Sequence, residues 1–95
     1  MDLPTISKET GVRPRVVCKD GFNMSVQAGA FAYCTPRRDI GHGEKYLAVE
    51  VGFPSGEEEA LMPYAEDSDR PCYTVYGYVP MDVVDAVIKA HGGLK

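Results

Sequence analysis

The chain has 95 residues and a mass of 10.4 kDa, which is the size of one small domain. Hydrophobic residues make up 44% of the chain and charged residues 25%, so the composition excludes a disordered or low-complexity protein. A pI near 5.0 and a net charge of -4 exclude a general nucleic-acid binder, so no direct nucleic-acid binding is expected. The chain lacks both an apolar run of about 20 residues and a signal-peptide pattern, which predicts a cytoplasmic protein without a membrane span.

The first part of the chain differs in composition from the rest. Residues 1–14 contain two prolines and one glycine and show no hydrophobic periodicity. We interpret them as an N-terminal arm, and we expect residues 15–95 to form a single domain.

The first predicted element is a β-hairpin around Asp20-Gly21. This dipeptide lies between two runs of β-forming residues, 15–19 and 22–27. It is typical of a two-residue type I′ turn, in which both residues take a positive φ. The register of such a turn sets Val17 opposite Met24.

Residues 28–35 fit either a short helical turn or a bulged strand. The next strand is predicted over residues 46–53, where every second residue from Leu47 to Phe53 is apolar and should face the core. Residues 60–62 are then predicted to return as a short strand before a proline.

The last predicted strand covers residues 73–79, which are rich in β-forming residues. Strict alternation places Tyr76 and Tyr78 together on one face of the sheet. We expect this face to be available to a partner protein or to a second copy of the chain in a homodimer, because one helix covers only one side of a sheet.

A single helix is predicted to begin at Pro80, because proline is favoured at the first helical position. Valine and isoleucine side chains recur on one stripe from Val83 to Ile88, and His91 is favoured by the helix dipole at the other end. Gly92-Gly93 supplies a left-handed cap. The predicted fold class is α+β, a small antiparallel sheet with one C-terminal helix packed on one face.

Charge is distributed unevenly along the chain. Residues 1–45 carry a net charge of +2 and residues 46–95 carry -6, which together give the net charge of -4. The simpler interpretation of the acidic half is a set of solvated loops, and the functional interpretation is a surface for a basic partner. The candidate partner-binding residues are Glu57, Glu58, Glu59, Glu66, Asp67, Asp69, Tyr76 and Tyr78.

Arg37 and Arg38 follow a rigid proline and form an alternative site. Two guanidinium groups bind a phosphate or carboxylate well, and Tyr64 is a candidate to stack on a base. This pattern favours a small-ligand binder that sequesters a nucleotide signal. The simpler interpretation is that both arginines pair with carboxylates of the chain itself.

No motif predicts catalysis. The cysteines are Cys18, Cys34 and Cys72, an odd number without a close pair, which is typical of free thiols. Cys34 and His42 are the one pair that could act as a thiol nucleophile and its base. A free cysteine is more often a buried core residue, so this structural role is the simpler interpretation of Cys34. The spacing of zinc sites is missing, so we expect a non-enzyme without metal or cofactor.

Six segments of the chain are distinctive, namely residues 20–28 (DGFNMSVQA), 33–37 (YCTPR), 49–55 (VEVGFPS), 61–67 (LMPYAED), 78–80 (YVP) and 91–93 (HGG). With these segments the chain resembles small proteins encoded in tailed-phage and prophage genomes. The resemblance covers most of the chain from Lys19 onward and assigns no role to any residue. It implies an early, accessory or counter-defence product that acts in a bacterial cytoplasm.

Small acidic phage proteins of this size include inhibitors of CRISPR complexes, so the resemblance implies an anti-CRISPR-like function. The partner would then be a host defence protein or ribonucleoprotein complex. Together with the acidic half of the chain, the resemblance favours a binding protein over a nucleotide sponge or an enzyme.

Overall fold

Four antiparallel strands form one sheet in a computed structural model of the chain, which describes residues 1–41 and 43–95. The strands lie in chain order, so each is hydrogen-bonded to the strand before it. They are β1 (Val16–Val17), β2 (Asn23–Gln27), β3 (Ala48–Gly52) and β4 (Val75–Pro80). The helices are a 3-10 helix (Glu59–Tyr64) and an α-helix, α1 (Met81–Ala90), so the chain is a small α+β domain as predicted.

Helix α1 follows β4 directly and packs against it. It begins at Met81 and not at Pro80 as predicted, because Pro80 has a ψ of 142° and is the last residue of β4. Val84, Val87 and Ile88 are its buried residues, which confirms most of the predicted apolar stripe. The helix ends at Ala90 with His91 as its C-cap, and Gly92 and Gly93 follow with φ values of 89° and 91°. These two glycines form the predicted left-handed cap.

The core lies between the sheet and α1. In β2, Met24 and Val26 are fully buried while the alternate residues Asn23, Ser25 and Gln27 are half-buried, as the alternating pattern predicts. Full burial of one such side chain contributes about 1.5–3 kcal/mol to stability. The buried hydrophobic side chains are Val16, Cys18, Phe22, Met24, Val26, Ala28, Ala32, Cys34, Tyr46, Val49, Val51, Leu61, Tyr76, Val79, Val84, Val87 and Ile88.

The hairpin is present, but its turn and register differ from the prediction. The Cys18 amide donates to the Phe22 carbonyl at 2.8 Å, so three residues form the loop, and Met24 lies opposite Val16. Gly21 has a φ of 95°, whereas Asp20 has no positive φ. The Asp20 carboxylate accepts a hydrogen bond from the Phe22 amide at 2.9 Å, which favours this longer turn over type I′.

Two predictions around β3 are wrong. Leu47 and Phe53 flank the strand and are 72% and 50% exposed, so the inward alternation is limited to Val49 and Val51. Residues 60–62 belong to the 3-10 helix, not to a strand. A helical turn buries Leu61 completely, and the chain reaches the edge of β4 only at Ala65, which bridges to Tyr76.

The N-terminal residues lie against the domain. The Met1 amine pairs with the Asp85 carboxylate of α1 at 2.6 Å, and Met1 and Leu3 pack on the core. The guanidinium of Arg13 donates to the carbonyl oxygen of Pro4 at 2.8 Å. Its backbone amide donates to the Gln27 side chain at 3.0 Å, which connects this segment to β2.

Other parts of the chain cover both outer strands of the sheet. At β1, Cys18 bridges to Leu94, and the Lys19 amide donates to the Gly93 carbonyl at 2.9 Å. At β4, the Glu66 amide donates to Val75 at 3.0 Å. A partner at either edge would have to displace these segments, so contacts through side chains are favoured over strand addition.

Candidate functional site

Two tyrosine rings and one arginine lie together on the surface of the domain, and an exposed phenylalanine precedes one of these tyrosines in the same loop. We call Phe31, Tyr33, Arg37 and Tyr78 the aromatic–arginine patch. The rings of Tyr33 and Tyr78 have centroids 6.0 Å apart, and the Arg37 guanidinium carbon lies 5.0 Å from the centre of the Tyr33 ring. Phe31, two positions before Tyr33 in the same loop, is 97% exposed.

The outward position of Tyr78 arises from a bulge in β4. Val49 pairs with Val79 and Val51 pairs with Tyr76, so Gly77 and Tyr78 both lie opposite Glu50. The extra residue shifts the alternation, and Tyr78 takes a φ of 53°, which non-glycine residues rarely adopt. The predicted shared face of Tyr76 and Tyr78 is therefore wrong, because Tyr78 is 49% exposed and Tyr76 is fully buried.

The loop that carries Phe31 and Tyr33 is fixed to the outer face of the sheet. The Tyr78 amide donates to the Tyr33 carbonyl at 2.9 Å, and the Tyr33 amide donates to the Glu50 carboxylate at 3.2 Å. Gly77 allows this approach, because a Cβ atom at that position would lie 3.3 Å from the Tyr33 Cβ. The patch is thus preorganised by backbone contacts.

Cys34 holds the same loop from the inside. Its side chain is 1% exposed, and its Sγ accepts from the Gly29 amide at 3.3 Å. The Sγ also lies 3.2 Å from the Gly29 carbonyl oxygen and 3.3 Å from that of Pro36, which follows a cis peptide bond. These contacts assign Cys34 a structural position. Its sequence-predicted partner, His42, lies outside the described residues.

The residues of the predicted nucleotide site do not converge. Arg38 donates to the Glu44 carboxylate at 2.6 Å, and this exposed pair raises the pKa of Arg38 and lowers the pKa of Glu44. Arg37 instead lies over Tyr33. Tyr64 is half-buried on the 3-10 helix and packs against the core. Among the described contacts, none joins Tyr64 to either arginine.

The predicted acidic residues occupy two exposed segments, with one exception. Glu57 and Glu59 are exposed, and Glu66, Asp67 and Asp69 lie in the exposed loop before β4. Glu58 instead turns toward the helix end, where its carboxylate lies 2.8 Å from Nε2 of His91.

Tyr76, the remaining candidate, belongs to the core and has no access to a partner. Its hydroxyl donates to the Pro71 carbonyl at 2.5 Å, and burial raises the pKa of this phenol. In this position the side chain closes the core beneath the loop that carries Asp67 and Asp69.

Two features of the site were missed by the sequence patterns. Phe31 and Tyr33 lie in residues 28–35, a run rich in alanine and glycine that fitted both a short helical turn and a bulged strand. The signal that points to them is the combination of large aromatic side chains with an irregular loop, where binding residues concentrate. The role of His91 was also missed, because its two carboxylate partners, Asp20 and Glu58, are distant in the sequence.

In the described residues, no group of three or more His, Cys, Asp or Glu side chains is arranged to hold a metal ion. The helices of this same part of the chain are too short or too polar to cross a bilayer. Comparison with known proteins gives no match to a family model, a curated protein or a solved structure.

Proposed function

We propose that the chain is a non-enzymatic binding protein that contacts a partner protein through the aromatic–arginine patch. The observation that carries this proposal is the exposure of Tyr33 and Tyr78 beside Arg37, on a loop and strand that are hydrogen-bonded to each other. Tyrosine and arginine are the residue types that most often dominate the binding energy of protein interfaces.

Backbone strain at Tyr78 supports the same interpretation. A non-glycine residue at positive φ costs about 1–2 kcal/mol, and such residues cluster at functional sites. At Tyr78 this conformation places a large ring in solvent, where it contributes little to the core. A role in binding a partner would explain why Tyr78 is both strained and exposed.

The partner that we propose is a host defence protein or ribonucleoprotein complex in a bacterial cytoplasm, as the resemblance to small phage and prophage proteins implies. The protein would inhibit it in an anti-CRISPR-like manner. Glu57, Glu59 and the acidic loop at 66–69 are exposed and would steer a basic partner toward the protein. These acidic side chains would determine the rate of association and its salt dependence, and the aromatic–arginine patch would determine the affinity.

The alternative function, a binder of a nucleotide signal, has weaker support. It requires Arg37, Arg38 and Tyr64 in one pocket, whereas Arg38 is paired with Glu44 and Tyr64 packs on the core. A thermal-shift panel of cyclic and linear nucleotides tests it directly. Stabilisation by several degrees that disappears in Arg37→Ala would favour this alternative over a protein partner.

The experiment that tests the proposed function is affinity capture from a lysate of the bacterial host with three matched baits. They are the wild-type chain, Tyr33→Ser with Tyr78→Asn, and Tyr73→Ser. Tyr73 is 80% exposed and lies outside the patch, so it controls for the loss of an exposed aromatic ring. We expect one captured complex to be lost with the patch variant and kept with the Tyr73 variant.

The strength of binding to the captured complex is then measured for the same three proteins. Loss of two interface hot spots should weaken binding at least about tenfold. Equal binding by the patch variant and the wild type would reject the patch. Reversal of Glu57 and Glu59 to lysine should slow association at low salt without abolishing the complex.

A further inference from the structure

His91 lies between two carboxylates that belong to different parts of the chain. Its Nδ1 is 2.5 Å from Oδ2 of Asp20 in the hairpin loop, and its Nε2 is 2.8 Å from Oε2 of Glu58 before the 3-10 helix. The Phe22 ring is stacked on the imidazole, with centroids 4.1 Å apart and an angle of 11° between the planes. His91 therefore connects the hairpin, the acidic segment and the end of α1.

Only the imidazolium form satisfies both contacts. A neutral imidazole has one N–H group, and its other nitrogen is an acceptor that faces a carboxylate acceptor unfavourably. An imidazolium donates to both carboxylates in charge-assisted hydrogen bonds. In agreement with this geometry, Glu58 and then Asp20 raise the pKa of His91 above its ordinary value.

The other charged groups near this cluster do not replace His91. On the hairpin, Lys19 precedes Asp20, and its Cβ approaches Gly92. On α1, Lys89 is exposed. In the part of the chain that the structure describes, neither lysine forms an ion pair with Asp20 or Glu58. The carboxylates would therefore lose their paired cation when His91 loses its proton.

We propose that His91 is a pH-sensitive clamp, which in its imidazolium form fastens the hairpin loop and the acidic segment at Glu58 to the end of helix α1. Loss of the proton releases at least one carboxylate and loosens the segment that follows it. The same region holds the C-terminal residues on β1 through the Lys19 amide and the Gly93 carbonyl, 2.9 Å apart. This inference does not rest on the proposed function.

The cluster is not arranged as a metal site. The two ring nitrogens point away from each other, so the carboxylates of Asp20 and Glu58 lie on opposite sides of the imidazole. One ion cannot be bound by both carboxylates and the ring. A catalytic pair is equally unsupported, because a nucleophile would need one of the nitrogens that the carboxylates occupy.

The test is an NMR titration of the imidazole in a His42→Asn background, where His91 is the remaining histidine. We expect a midpoint above the ordinary value of about 6.5, with both ring nitrogens protonated below it. The backbone amides of Lys19 and Leu61 should report the same midpoint, since they donate hydrogen bonds to the backbone carbonyls of Gly93 and Glu58, respectively. An amide transition that is missing or occurs at another pH would overturn the clamp.

Two further variants separate a clamp from an isolated exposed histidine. Asp20→Asn keeps an oxygen that can accept from the Phe22 amide, and Glu58→Gln preserves the size of the side chain. Each should lower the proton affinity of His91 by about threefold to tenfold, because each removes one adjacent negative charge. A midpoint that is unchanged in both variants would contradict the proposal, and each variant provides a test if the other fails to fold.

Discussion

The backbone amide of Tyr78 donates a hydrogen bond to the carbonyl oxygen of Tyr33 at 2.9 Å, and this contact joins strand β4 to the loop that crosses it. It places the two tyrosine rings side by side before any partner is present. A surface that is already ordered loses less conformational entropy on binding. Backbone hydrogen bonding therefore sets the positions of Tyr33 and Tyr78, and their side chains supply the contacts to a partner.

Substitutions at Tyr78 should separate stability from binding. Asparagine tolerates a positive φ, so Tyr78→Asn should leave the free energy of unfolding unchanged or raise it by up to about 1 kcal/mol. Valine is β-branched and unfavourable at the observed φ of 53°, so Tyr78→Val should lower it by about 1–2 kcal/mol. Urea denaturation of both variants provides the measurement. Equal stability of the two would contradict the strained conformation.

A second prediction concerns Tyr76, which is fully buried and donates to the Pro71 carbonyl at 2.5 Å. Tyr76→Phe keeps the ring in the core but leaves this carbonyl without its donor. We expect a loss of about 1 kcal/mol in the free energy of unfolding. The control is Tyr73→Phe at an 80% exposed position, where no change is expected. Similar values for both variants would show that the hydroxyl of Tyr76 makes no net contribution.

The third prediction is a pH dependence of stability with a defined sign. His91 has a raised pKa in the folded chain, so its stabilising effect is complete below its unfolded value of about 6.5 and is lost as pH rises through the folded value. Asp20 acts in the opposite direction at acid pH. The Phe22 amide and then His91 lower its pKa, so its contribution is lost as pH falls through that depressed value.

Urea denaturation across this range checks the third prediction, with His42→Asn as the background to remove the other histidine. Stability should be greatest at mildly acidic pH and decline toward alkaline pH. Adding His91→Gln should remove the decline at the pH where His91 titrates, because glutamine does not titrate, whereas the buried phenol of Tyr76, whose pKa is raised, still lowers stability at more alkaline pH. If the decline persists at the same pH in that variant, another group is responsible.

Much of the fold follows from local sequence patterns. The alternation in β2 specifies which side chains are buried, and Gly92-Gly93 marks the end of α1 because few other residues adopt two successive positive φ values. The errors occur where tertiary contacts override a local rule. Asp-Gly favours a two-residue turn, but the Asp20 carboxylate accepts from Phe22 and points toward His91, which fixes a longer loop.

The candidate site was harder to predict for the same reason. Alternation in β4 assigns Tyr76 and Tyr78 to one face, and only pairing with β3 creates the bulge that separates them. At the bulge, Glu50 lies opposite two residues of β4, and its carboxylate accepts a hydrogen bond from the amide of Tyr33. Tyr33 lies beside Tyr78 because its loop crosses the sheet, and hydrophobic periodicity does not predict where a loop lies.

Hydroxyl-radical footprinting of the protein, free and bound to the captured complex, tests whether the aromatic–arginine patch contacts the partner. The solvent-exposed rings of Phe31, Tyr33 and Tyr78 react in the free chain, and Tyr73 serves as an exposed reference outside the patch. If the patch contacts the partner, labelling of the three aromatic patch residues should fall several-fold in the complex, and labelling of Tyr73 should stay unchanged. Unchanged labelling of Phe31, Tyr33 and Tyr78 in the complex would contradict this contact.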